Sequence, residues 1–595
     1  MPSARRYEPD IGVDRSRSTT PSLLAAKVAS PRQRRPLASM ACRAAAVPRR
    51  ATHDLGGQCR LVKVVGQTGP MLGLEMVVVL GVAVVMCGAL ARRFPVAPAI
   101  LLVLVGVLVG FVPALRQAGL PPEVVLLLFL PALLYWESLT TSLREIRSNL
   151  RVIVLASTAL VVATAAAVAG TAHALGMPWG PGWVLGAAIA PTDATAVGVL
   201  ARALPRRIVI VLRAESLVND GTALVIYGLA VGVTVGGEHL GVAHVAWLTV
   251  LAYGGGVAAG ALVALVNWQV RRRMDDPMLE NITILVVPFA AFLLADSVHA
   301  SGVLAVVTCG LLMSRLAPRI TSATARQQLT AFWSLATTVL SSVLFVLVGL
   351  QAQSAVRNLT SVSAGRAIGY VLAVTGVVIG VRWAWTYTTP YLIRAIDRRP
   401  TQRLRRIGAR QRTVSAATGF RGAVSLAAAL AVPSHLHSGA PFPDRDLIVV
   451  ITSGVIVLTL LQALPLPMIV RFARLPVDTS VDEERHLAEI TIADTAAAAI
   501  EQVATELGSG ARVVERVQHE LDKERKLLAA DHTADDPLVR HNDQYTALRL
   551  ALIGRQREAL LELRDERSID DIVLRLVQGQ LDNEEVRLSR SSPTE

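Results

Sequence analysis

From Met71 to about residue 473 the chain is a succession of apolar segments, each close to the ~20 residues that a helix needs to cross a bilayer. Backbone polar groups inside lipid have to be satisfied within the segment itself, so runs of this length are read as transmembrane helices. About 13 such segments fit, spanning roughly 72–91, 95–113, 122–139, 152–174, 181–203, 208–235, 243–268, 281–297, 300–314, 330–351, 367–390, 412–433 and 446–471. The eighth and ninth are parted only by Asp296, His299 and Ser301, which read as a solvated helix boundary rather than a proton relay. With 52% hydrophobic and 17% charged residues, the chain is neither a soluble globular protein nor a disordered one. The expected class is an all-α polytopic membrane protein.

The net charge of +14 does not point to a nucleic-acid partner, because the arginines sit in short loops between apolar segments. Alternate loops hold Arg92 and Arg93; Arg144, Arg147 and Arg151; Arg202, Arg206, Arg207 and Arg213; Arg271 to Arg273; Arg315, Arg319 and Arg326; and the run from Arg394 to Arg412. The opposite loops hold only Arg116, Arg357, Arg366 and Arg445. The positive-inside rule then places the N-terminus outside and the C-terminus in the cytoplasm. Residues 1–70 are Arg-rich and conflict with that side. Translation is therefore expected to start at Met71 or Met40, with 1–70 an over-extended reading frame or a disordered basic arm. Residues 474–595 alternate charged and apolar residues at helical spacing and read as a soluble helical domain. Packing or dimer support is its expected role, with regulation as the alternative. The cysteines show no metal or disulfide spacing, and Cys87 and Cys309 read as small buried hydrophobes.

Ionisable residues breach the apolar pattern in two consecutive segments. The sixth carries Glu215, Ser216, Asn219 and Asp220, and the fifth carries Pro191-Thr192-Asp193. A charge at membrane depth costs at least ~2.5–3.5 kcal/mol, so such residues mark a functional site by default. On a helix, Ser216 and Asp220 share a face four residues apart, while Glu215 and Asn219 form a neighbouring pair. Pro191 removes a backbone donor and disturbs the helix just before Asp193. Freed carbonyls there are able to coordinate a cation, and Thr192 is the natural candidate. A second break is expected in GFRGAVSLAAAL, where Gly419 and Gly422 flank Arg421. The two breaks fall in the fifth and twelfth segments, each the middle of a three-helix unit, as in transporters with inverted repeats. Arg421 needs a partner. Glu215 is the preferred one, leaving Asp220 and Asp193 for ions, but spacing leaves open the reverse, with Asp220 paired and Glu215 carrying the ion. Arg382 reads as a structural pair or a snorkelling side chain beside Trp383 and Trp385.

FLPALLYWESL, APTDATAV, AESLVND, HASGVLAVVTCG, the FW…LFVLVGL run and GFRGAVSLAAAL, in this order over about residues 71–473, resemble the NhaP/NHE-type sodium/proton exchanger family of monovalent cation:proton antiporters. The resemblance implies a 13-helix fold with inverted repeats, crossed discontinuous helices, a dimerisation domain and a mobile core domain. It implies that Asp220, Asp193, Thr192 and Ser216 bind the cation and proton, and that Glu137 reaches the ion through water. It makes Glu215 and Arg421 a structural ion pair held by Asn219. An Asn-Asp pair, where electrogenic relatives carry Asp-Asp, implies electroneutral exchange.

A single carboxylate that holds either a proton or a hard cation, combined with alternating access, gives coupled exchange. The expected function is thus Na⁺/H⁺ exchange in the cytoplasmic membrane by a homodimer, with no enzymatic step and no cofactor. K⁺ or Li⁺ preference is an alternative, as is a cation or pH sensor that signals through residues 474–595. A channel fits less well, since no selectivity-filter loop is recognisable.

Overall fold

The computed structural model describes residues 70–93, 97–112, 125–193, 204–236, 242–274, 276–357, 362–396, 408–475, 478–529 and 537–590. The basic stretch 1–69 lies outside them. Among the described residues the regular elements are helical. The membrane part begins with α1 (Pro70–Arg93), α2 (Pro98–Val109), and α3 (Leu130–Thr140) with a π turn before it. It continues through α4 (Leu143–Val154), α5 (Val161–Ala174), α6 (Trp179–Ile189), α7 (Arg206–Gly236) and α8 (Val242–Arg271). Then come α9 (Pro277–Ser297), α10 (Gly302–Leu316), α11 (Ala323–Arg357), α12 (Ala364–Ile396), α13 (Ala409–Ala417), α14 (Ala423–Leu430), α15 (Arg445–Leu461) and α16 (Leu466–Ala473).

Each of the apolar stretches picked from sequence is helical over most of its described residues. Among the described residues, seven helices are long and apolar enough to cross a membrane alone, and α15 with α16 makes an eighth if the bent pair is one span. The chain is an all-α polytopic membrane protein. The exterior of its membrane part is apolar, with Val85 72% and Leu335 69% exposed, a surface that suits lipid and not water. Small residues set the helix spacing inside. Gly106 of α2 and Gly349 of α11 face each other so closely that a Cβ on either would overlap the other helix's backbone, the contact that small residues permit between membrane helices.

Two boundaries are informative. Asp296 ends up beside the α9 terminus and His299 takes a left-handed φ of 55°. Ser301 then caps α10 by accepting from the Leu304 amide at 3.3 Å, so this polar group does separate two helices. The expected last segment, 446–471, is not one straight helix. It bends by 44° between Leu461 and Leu466, where Pro465 and Pro467 lack the amide hydrogens that a continuous helix requires.

The tail forms two helical hairpins, α17 (Ser480–Leu507) with α18 (Ala511–Ala529) and α19 (Pro537–Asp565) with α20 (Asp571–Arg590). Gly508 stops α17 with φ 64°, its amide donating back to Ala504 and Thr505, the usual left-handed helix end. Arg525 Nε donates to Asp494 Oδ1 at 2.9 Å across the first hairpin, and Arg549–Glu584 and Arg557–Asp582 tie the second. The seam with the membrane part is polar. The Arg206 amide, at the start of α7, donates to Asp478 Oδ2 at 2.7 Å, and its guanidinium pairs with Glu145 at 2.5 Å and Glu484 at 3.0 Å. The Ser480 hydroxyl above all, with the Arg206 amide, holds the Asp478 carboxyl below the usual carboxylate range. Its contribution is present above about pH 4 and is lost only as pH falls through the depressed value.

Candidate functional site

The interruption at Pro191 is where the site begins. α6 ends at Ile189, and Pro191-Thr192-Asp193 continues as non-helical backbone. A second interruption, Thr418–Gly422, separates α13 from α14. The two broken segments cross, because the Asp193 amide donates to the Phe420 carbonyl at 2.9 Å and Arg421 Nε donates to the Ile189 carbonyl at 3.1 Å. Each break thus satisfies backbone groups freed by the other, which is the condition for irregular backbone at membrane depth.

α7 passes this crossing and supplies the polar side chains. Asn219 Nδ2 donates to Thr192 Oγ1 at 2.7 Å, and Thr192 Oγ1 lies 3.4 Å from Ser216 Oγ. Thr192 is thereby pinned on the broken segment by the helix that carries Asp220. Asp220 is buried, and its Oδ1 has no hydrogen-bond partner among the described residues. It faces a cavity of about 70 Å³ that is shared with Asp193, Thr192, Ser216 and Glu137. The remaining wall is largely apolar, from Phe129, Leu130, Leu344 and Phe345. A water needs roughly 10–15 Å³ of such space, so the cavity has room for a cation with a few waters. The donors here are carboxylate and hydroxyl oxygens, the set that suits a hard cation. No cluster of three or more His, Cys, Asp or Glu side chains forms a resident metal centre among the described residues.

The cavity therefore brings together five residues expected from sequence: Asp220, Asp193, Thr192, Ser216 and Glu137. The expected Glu215–Arg421 pair takes a different form. Arg382 Nη1, from α12, donates to Glu215 Oε1 at 2.6 Å. Arg421 instead gives Nη1 to the Gly419 carbonyl at 2.7 Å and Nε to Ile189, while its amide donates to Thr459 Oγ1 at 3.2 Å. The Ile189 carbonyl at the C-terminal end of α6, which carries partial negative charge, is an alternative partner for a buried guanidinium, and this is why Arg421 does not need the carboxylate. Asn219, expected to hold that pair, holds Thr192. The reverse assignment, Asp220 paired and Glu215 carrying the ion, also fails to appear, since Glu215 is the paired residue. It lies five residues before Asp220, ~140° around the helix.

Two glycines of the second break leave room for their neighbours. A Cβ at Gly419 would overlap Arg382 Cδ, and one at Gly422 would overlap Asp193 Oδ2. Gly422→Ala is accordingly expected to displace the Asp193 carboxylate and lower cation-driven transport by about tenfold, or roughly 1.4 kcal/mol, while the protein still inserts. Transport per reconstituted protein would check it, and an unchanged rate would mean that Asp193 is free to shift without consequence.

Sequence reasoning did not name Arg382 as the partner of Glu215. The signal was present in part, as an arginine inside the apolar run 367–390 demands a partner, but nothing in the sequence says which.

A family model described as the transmembrane sodium/hydrogen exchanger matches residues 81–472. An uncharacterized Na(+)/H(+) exchanger of Mycobacterium tuberculosis is 46% identical over 531 residues, covering 88% of this chain and 98% of that protein. A sodium, potassium, lithium and rubidium/H(+) antiporter of Bacillus subtilis is 28% identical over 411 residues, covering 66% of this chain and 60% of that protein. Among solved structures, the sodium proton antiporter MjNhaP1 from Methanocaldococcus jannaschii superposes with a TM-score of 0.54 at 18% identity, over 69% of this chain and 100% of that one. That likeness concerns the fold.

Proposed function

Because the chain belongs to the sodium/hydrogen exchanger family, we propose that it exchanges Na⁺ for H⁺ across the cytoplasmic membrane, one for one, at Asp220. The observation that carries this reading is the buried Asp220 oxygen, without a partner among the described residues, in a cavity shared with Asp193 at the crossing of two broken helices. Asp220 accepts a proton or a cation, and occupancy by one excludes the other. Asp193, Thr192 and Ser216 complete the ion's surroundings, and Glu137 reaches it through water. Glu215, already neutralised by Arg382, serves structure. One titrating carboxylate gives electroneutral exchange, since the same net charge crosses with either occupant. Movement of one bundle against the other would expose the site alternately to each side. No organic cofactor enters this cycle, and the ions are the cargo.

K⁺ and Li⁺ are alternative substrates, a breadth consistent with the name of the Bacillus subtilis relative. The domain division proposed with this function is a basic extension 1–70, an antiporter domain 71–473 and a cytoplasmic helical domain 474–595. The N-terminus lies outside, and a homodimer is the working unit.

The test is proton movement in proteoliposomes under an imposed ΔpH, with Na⁺, K⁺ or Li⁺ added and the membrane voltage set independently. Cation-dependent collapse of ΔpH, insensitive to voltage, is the expected result. Voltage-dependent collapse would refute the one-for-one stoichiometry. No flux from folded protein would leave a sensor acting through residues 474–595 as the better reading.

A further inference from the structure

Hydroxyl side chains in the apolar helices of this chain are mostly disposed of locally. Ser138, Thr164, Thr234 and Ser342 each donate to the carbonyl four residues earlier, at 2.5–2.7 Å, the standard way of satisfying a hydroxyl without leaving the helix. Ser425 does not follow this pattern. It is 1% exposed, and its Oγ has no hydrogen-bond partner among the described residues. Thr452 and Ser453 on α15 are also buried without partners, but Ser425 differs from them in lining the cavity that holds Asp220 and Asp193.

Its position follows from the second helix break. Ser425 stands in the first turn of α14, three residues beyond Gly422, the glycine that admits the Asp193 carboxylate. Asp220 and Ser425 thus line one small cavity, and neither Asp220 Oδ1 nor Ser425 Oγ, both buried, has a hydrogen-bond partner among the described residues. Buried acceptors in that condition are satisfied by something that enters the space. A hydroxyl oxygen offers lone pairs to a hard cation without adding charge, so it leaves a one-for-one charge balance intact.

We propose that Ser425 is a further ligand of the transported alkali cation, directly or through one bound water, and that it helps to set which cation is preferred. The proposal rests on the exchange function above. It means that both broken segments supply oxygens to the ion, Thr192 and Asp193 from one and Ser425 from the other, so the site is complete only while the two remain crossed.

The experiment uses the full chain in proteoliposomes and compares wild type with Ser425→Ala, Ser425→Cys and Ser425→Thr. Apparent KM and maximal rate are read for Na⁺, Li⁺ and K⁺. Alanine and cysteine are expected to raise the Na⁺ KM about five- to tenfold and to change the Li⁺:Na⁺:K⁺ preference, while threonine, which keeps the oxygen, restores wild-type preference. Cysteine keeps the volume and loses the hard donor, so wild-type behaviour from cysteine would overturn the proposal. So would equal loss of maximal rate for all three cations with KM unchanged, the mark of a structural role. Thermal stabilisation of the detergent-solubilised protein by NaCl over choline chloride separates the two readings. Stabilisation that weakens in Ser425→Ala, without flux from wild type, would keep the ligand and reject exchange. Stabilisation identical in both proteins would reject the ligand.

Discussion

Asp220→Asn is expected to cut Na⁺-driven collapse of ΔpH by at least ~100-fold, a loss of about 2.7 kcal/mol at the limiting step. The substitution changes almost nothing in shape. It removes the negative charge that would hold a cation and the group that would carry a proton back, so both halves of the cycle fail together. Asn also brings donors into a space where Asp220 Oδ1 now stands as an unpartnered acceptor beside Asp193. Fold is not at issue in this variant, because Asp220 makes none of the ion pairs of the membrane part among the described residues. Elution as a monodisperse species in detergent would confirm that. The measurement is proton movement per reconstituted protein, with Asp193→Asn beside it. Asp193 lies on the broken segment, with its amide already engaged by Phe420, so its loss should weaken cation affinity while leaving a slower exchange. Full activity in Asp220→Asn would move the proton-carrying role to Asp193 or Glu137, the other carboxylates of the cavity.

The sequence made the site visible because its residues violate an otherwise apolar pattern. Pro191 and the GFRG motif announced the two breaks through backbone chemistry that Pro and Gly alone possess, and both breaks occur. Ser216 and Asp220 lie on one helix at a spacing that fixes their common face, and both line the cavity. Pairings across the fold were not legible in the same way. Glu215 and Arg382 are 167 residues apart, and Glu215 had two arginines available in neighbouring apolar segments. The choice depends on where Gly419 leaves room and on the carbonyls at the end of α6, which exist only once the helices cross. Ser425 was hidden for a related reason. A serine in an apolar helix ordinarily bonds to its own backbone, and only the folded cavity shows that this one does not.

Arg382→Ala is expected to produce the largest loss of stability of any single change near the site, roughly 3–5 kcal/mol. The side chains of Arg382 and Glu215 are 6% and 9% exposed, so removing the arginine strands a carboxylate away from water without its ion-pair partner. Glu215→Gln should be milder, because the guanidinium keeps a hydrogen-bond acceptor and still reaches the Ser415 carbonyl at 3.4 Å. Joining Glu215→Gln to Arg382→Met removes both charges at once and should recover much of what Arg382→Ala loses, since a buried pair is often no more stable than a neutral replacement. Apparent melting temperatures in detergent, arranged as a double-mutant cycle, measure the coupling directly. Strong coupling between Glu215 and Arg382, with little between Glu215 and Arg421, is the expected pattern. The opposite pattern would mean that Arg421 lets go of the Ile189 and Gly419 carbonyls to take Glu215 in part of the population. That exchange of partners would link the ion pair to the crossing itself. The pair would then be a moving part of the transport cycle and not a fixed support beneath it.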